Sequence, residues 1–153
     1  MGKLRKNIVP ILIILLLLSF TLLYIVKSEK DVLQKNVDLV FTNAISDSMN
    51  GINLDYSGIS TNEKVRCYYQ TVSNLNDALN IFHSTSYKEY DNLFQALNHL
   101  YIFLIDNYGE TYEIEDKLYI FEFLGKVMVY PEDKELISEF DRYLDNKRTD
   151  VSG

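Results

Sequence analysis

The chain has 153 residues with 22 acidic against 15 basic side chains, a net charge of −7 that points away from nucleic acid. Its single cysteine, Cys67, excludes an intramolecular disulfide and a cysteine-built zinc cluster. A composition of 47% hydrophobic and 13% aromatic residues is too apolar for disorder, and two Pro and six Gly are too few breakers for a β-sandwich, so an all-α fold is expected.

Residues 1–7 read as a short basic tail carrying Lys3, Arg5 and Lys6. From Ile8 to Val26 the chain runs 19 residues without a charge, with Ser19 and Thr21 as its aliphatic hydroxyls. As a helix this run spans about 28 Å, close to the hydrocarbon thickness of a bilayer. Pro10 falls in its first turn, where a missing N–H costs little. The flank before it is purely basic, whereas Lys27 and Lys30 after it are mixed with Glu29 and Asp31. The more basic flank stays in the cytoplasm, so residues 8–26 are expected to act as a single-pass signal-anchor in the cell membrane, with the C-terminal part extracytoplasmic. The alternative is a signal peptide cut after Val26-Lys27-Ser28 to release a secreted protein. Its apolar core would be longer than the usual stretch of about 7–15 residues, and no A-x-A follows. A pilin-like leader is rejected because no acidic residue lies near the start of the apolar run.

Setting the basic tail aside leaves 12 basic and 22 acidic residues from 27 onward, a net of −10. Residues 27–148 are expected to form an antiparallel bundle of four to five helices, continuous with the membrane helix, and 149–153 a disordered tail. The first helix runs to about Asn50 as a long unbroken rod, with Leu33, Val37, Val40, Ala44 and Ile45 on its inner face. Gly51 to Ile59 is a loop. Ser60 and Glu63 make a capping box for the second helix, whose seam is Val65, Tyr68, Val72, Leu75, Leu79 and Phe82.

Ser86 opens the third helix with Glu89 as its box partner, and Gly109 stops it. Between Asp91 and Asp106 this helix carries no charge, and its wide apolar face places it centrally. Thr111 caps a fourth helix reaching Met128, with Ile114, Leu118, Phe121, Leu124 and Met128 inward. Pro131 takes the first position of a fifth helix, whose apolar face is Leu136, Ile137, Phe140, Tyr143 and Leu144.

No catalytic constellation, cofactor motif or metal site is expected. His83 and His99 belong to no H-E-x-x-H or di-iron pattern, and only their meeting across a helical hairpin would suggest a metal. The acids Glu113, Glu115 and Asp116, and again Glu132, Asp133 and Glu135, sit at helix starts, where solvated carboxylates suit the dipole. Cys67 next to Arg66 reads as a half-buried thiol, and no G-x-S-x-G or phosphate loop is present.

Tyrosine is the compositional outlier, with 12 Tyr and no Trp. Tyr68, Tyr69, Tyr87, Tyr90, Tyr108, Tyr112 and Tyr119 cluster around the second to fourth helices, the first six as interface candidates, and tyrosine suits interfaces because an apolar ring ends in a polar tip. Tyr, Asn, Ile and Lys enriched together also fit AT-rich coding in a low-GC bacterium. The expected function is non-enzymatic. The apolar run binds membrane lipid, and the acidic bundle binds another envelope or secreted protein. The alternative is a membrane-tethered sensor in which the third helix lines a pocket for a small apolar or amphipathic molecule.

Overall fold

A computed structural model describes residues 2–55, 57–106 and 117–151. Among these residues there are five α-helices, two short 3-10 turns and no strand. The helices are α1 (Gly2–Ile52), α2 (Thr61–Ile81), α3 (Asp91–Asp106), α4 (Lys117–Val129) and α5 (Lys134–Val151), and the 3-10 turns Phe82–Ser84 and Ser86–Glu89 link α2 to α3. The chain divides into two compact units, residues 1–36 and 37–153.

In the first unit, α1 is helical from Gly2, so Pro10 lies inside the helix rather than in its first turn. The ring removes the bond that its N–H would have made to the carbonyl of Lys6. Its most apolar 18-residue stretch has a mean hydropathy of 2.5 and buries none of its residues within the molecule, which makes it long and apolar enough to cross a membrane. The two aliphatic hydroxyls of this run turn back onto the helix. Ser19 donates to the carbonyl of Leu15 at 2.9 Å and Thr21 to that of Leu17 at 2.8 Å.

The second unit is a helical bundle around one apolar core. α2 and α3 form an antiparallel hairpin, α3 packs on α5, and α4 packs on α5. The last part of α1 runs against α2. Phe41 meets Phe82 edge-on with ring centroids 5.8 Å apart, and the Ser48 hydroxyl donates to the buried carbonyl of Thr71 at 3.1 Å. The face that α1 buries is Phe41, Ile45, Ser48 and Ile52. This corrects the expected face: Leu33 is 63% and Val40 57% exposed, while Val37 and Ala44 are half-buried. Val37, Leu39, Val40 and Phe41 offer apolar side chains in several directions, and the largest ring decides the phase.

α1 also continues through Gly51 to Ile52, past the expected loop boundary, because no side chain at Gly51 obstructs α2 at Thr71. The loop that follows turns on Gly58, at φ +79°, a backbone conformation glycine adopts without strain. The Asp55 carboxylate accepts the Ser57 N–H at 2.9 Å, and this bond above all draws the Asp55 pKa below its ordinary value.

Helix α2 starts as expected, on a capping box. The Glu63 N–H donates to Ser60 Oγ at 3.4 Å, and Glu63 Oε2 accepts from the Ser60 N–H at 3.2 Å. The connection to α3 differs. Thr85, not Ser86, caps the 3-10 turn by accepting the Tyr87 N–H at 3.0 Å, and α3 begins only at Asp91. The Ser86 N–H instead donates to Asp38 of α1 at 2.7 Å.

In α4 the buried residues are Ile120, Phe123, Leu124 and Val127. Leu118, expected inside, is 63% exposed, and Phe121 is half-buried. Glu122 and Lys126 mark one solvent face, and Leu118 lies one turn before Glu122 on that face, while the opposite side is fixed by the Phe140 ring, which stacks on Phe123 with centroids 3.5 Å apart. Pro131 stands in the turn before α5, and Asp133 is the cap, its carboxylate accepting the N–H groups of Glu135 and Leu136 at 3.1 and 3.0 Å. The apolar face of α5 is as expected, with Ile137, Phe140 and Leu144 buried and Leu136 and Tyr143 half-buried. Gly109, Thr111 and Ile114 lie outside the described residues.

Candidate interaction surface

The capping box fixes where α2 starts, and from there Tyr68 points into the bundle and Tyr69 out of it. Tyr68 is 2% exposed and donates its hydroxyl to the carbonyl of Leu104, near the end of α3. The bond satisfies the buried phenol and ties the start of α2 to α3. Tyr68 is therefore a core residue rather than an exposed interface residue, because the α2 seam and its own polar tip both draw it inward.

Tyr69, 57% exposed, stands at the rim of a groove of about 360 Å³ between α2 and α3. From α2 the groove is lined by Tyr68, Tyr69, Val72, Ser73 and Asn76, and from α3 by Tyr101 and Ile105. Ile105 is 43% exposed. Tyr87 and Tyr90 do not line it. Tyr87 is half-buried against Phe41, with ring centroids 5.1 Å apart. Burial, then the charge of Asp38, raises its pKa. The Tyr90 N–H donates to the Tyr87 carbonyl at 2.9 Å, at the start of α3. Tyr108 and Tyr112 lie outside the described residues.

Sequence reasoning missed Tyr101 and Ile105 as site residues because α3 is apolar over most of its circumference. The signal was their position near the end of α3, where the antiparallel hairpin brings them beside the start of α2. Tyr119 of α4 packs on Tyr143 of α5 at 4.5 Å, with its pKa raised by burial.

The histidines are held by different partners. His83 is exposed and rests against the Phe94 ring at 4.8 Å, whereas His99 Nδ1 lies 3.0 Å from an Asp141 carboxylate oxygen and ties α3 to α5. Among the described residues no group of three His, Cys, Asp or Glu is placed to hold a metal ion. Cys67 is half-buried beside a shallow hollow of about 330 Å³ lined mainly by Asp47, Asn50, Gln70 and Asn74. Glu132, Asp133 and Glu135 are solvated, Asp133 as the α5 cap; Glu113, Glu115 and Asp116 lie outside the described residues.

Charge is uneven along the chain. Residues 37–153 carry 20 acidic and 9 basic side chains, a net of −11. From Cys67 to Asp106 the sole Lys or Arg is Lys88. The groove is thus an aromatic and aliphatic surface set in an electronegative unit. No family model, curated protein or solved structure matches the chain.

Proposed function

We propose that this is a single-pass membrane protein with an extracytoplasmic helical bundle, acting without catalysis by binding another envelope or secreted protein. The observation that carries the reading is the α2–α3 groove, where Tyr69 and Ile105 are exposed beside the half-buried Tyr101. Anchoring is supported by the fully exposed apolar stretch of α1 and by Ser19 and Thr21, whose donors are satisfied within the helix as lipid demands. The outward direction of the bundle rests on the basic flank before that stretch.

Two experiments test this. Protease added to intact protoplasts is expected to remove the C-terminal part, and protection there with digestion after lysis would invert the topology. A photocrosslinking amino acid placed in turn at Tyr69, Glu122 and Glu139 should capture a protein neighbour in living cells; no protein adduct from any site would end the interaction reading. A second reading is favoured by the groove's volume, which suits a small apolar or amphipathic ligand. Native mass spectrometry separates the two: a small molecule that co-purifies with the chain and is lost on Ile105→Glu would favour the sensor.

A further inference from the structure

We propose that the α2–α3 groove receives a cationic segment of a partner protein, with an apolar side chain seated between Tyr69, Val72 and Ile105 and a neighbouring Lys or Arg held over the tyrosine rings. This assignment rests on the interaction reading and specifies its site and the chemistry of the partner.

Three observations converge. The groove is lined mainly by rings and aliphatic carbons, with Ser73 and Asn76 as its polar edge, so it offers an apolar side chain a seat without stranding a buried donor. Tyr69 and Tyr101 present aromatic surface, and a cation within about 6 Å of a tyrosine ring is attracted by the negative π-face. The surrounding charge has one dominant sign. α2 carries no Lys or Arg after Arg66 and α3 carries none, while Asp77 and Asp106 adjoin the lining residues Asn76 and Ile105 in the chain. Arg66 stands one helical turn before Tyr69, and Glu63 one turn before Arg66 offsets it.

The competing occupants meet the same field. A second copy would bring a net charge of −11 against −11, and an anionic lipid surface would be repelled. A basic segment gains on approach and in place, because opposite charge speeds encounter and the rings hold the cation once docked.

The full chain, held in phosphatidylcholine nanodiscs, should be titrated at near-physiological salt with three labelled peptides: an amphipathic Leu/Lys helix, its Leu/Glu counterpart, and a Ser/Lys peptide without apolar residues. Empty discs supply the reference. The Leu/Lys peptide is expected to bind at least about 10-fold more tightly than either other peptide, as losing one partner of a docked pair costs a factor of ten or more. Ile105→Lys and Tyr69→Ala should each weaken it about 10-fold, and Tyr69→Phe, which keeps the ring, should restore most of the affinity. Glu132→Gln shifts the net charge by the same single unit as Ile105→Lys but at the start of α5, and should leave binding within about 2-fold.

Equal losses for Glu132→Gln and Ile105→Lys, equal binding of the Leu/Glu peptide, or no binding of the Leu/Lys peptide would overturn the proposal. Circular dichroism of each variant checks that the bundle is intact. The two readings fail separately: protein crosslinks from Glu122 or Glu139 but none from Tyr69 would keep the interaction and remove the groove as its site.

Discussion

The tight contact of α1 with α2 at Gly51 gives the sharpest prediction. A β-carbon there would lie 1.8 Å from Thr71 Oγ1, 3.0 Å from its Cβ and 3.4 Å from its Cγ2. Thr71 is buried, and its hydroxyl is spent on the Cys67 carbonyl at 2.9 Å. Rotating the threonine removes the worst clash but leaves the Cβ contact, so the helices must part by a few tenths of an ångström. Overpacking of this kind costs about 1–3 kcal/mol. Alanine in place of a helical glycine returns about 0.5–1 kcal/mol. Gly51→Ala should therefore destabilise the bundle by a net of about 1–2 kcal/mol, or about 4–8 °C in Tm for a unit of this size.

Thr71→Ala alone should cost about 1 kcal/mol for the lost methyl group. In the double variant Oγ1 and Cγ2 are gone, so the loss should fall short of the sum by about 1 kcal/mol. Thermal and urea unfolding of the full chain in detergent, followed by circular dichroism, measures all four proteins. Additive losses, or a stabilising Gly51→Ala, would refute the claim that this contact limits how closely α1 and α2 pack.

Three further outcomes follow from the same contacts. Tyr68→Phe leaves the Leu104 carbonyl buried without its phenol partner and should cost about 1–3 kcal/mol in the same unfolding assay. Phe140→Ala opens a cavity against Phe123 and should cost about 3–5 kcal/mol, whereas Leu118→Ala, at a 63% exposed site, should change stability by less than about 0.5 kcal/mol. The hydrogen bonds from the Ser60 side chain and backbone hold the Glu63 pKa below its ordinary value of 4.5. Its stabilising effect is therefore complete above that value and lost as pH falls through the lower folded value. Ser60→Ala should raise the Glu63 pKa toward 4.5 in an NMR titration, flatten the acid dependence of stability, and cost about 1 kcal/mol at neutral pH.

Particular residues show how much of this was legible in the sequence. The apolar run was readable because length and absence of charge are enough to identify it, and the start of α2 because Ser60 and Glu63 are a local, self-contained pair. The face of α5 was readable because polar residues separate Ile137, Phe140 and Leu144 from the rest. Rotation failed where a helix carries more apolar residues than one buried face can hold. In α4 and the middle of α1 several phases satisfy the same spacing, and contacts from distant segments choose among them. The caps at Thr85 and Asp133 were misplaced because each stands within two residues of another good candidate. The groove needed tertiary structure, since Tyr69 and Ile105 are 36 positions apart and only the hairpin brings them together.

The inward-turned hydroxyls of Ser19 and Thr21 carry a consequence for assembly. Within a bilayer, polar side chains are among the few groups that draw one spanning helix sideways onto another, and here the two aliphatic hydroxyls are already engaged along their own axis, which leaves the 75% exposed Tyr24. In the proposed anchor, sideways pairing through this stretch would thus rest on one phenol, and most of the company the molecule keeps would be chosen by its watery end.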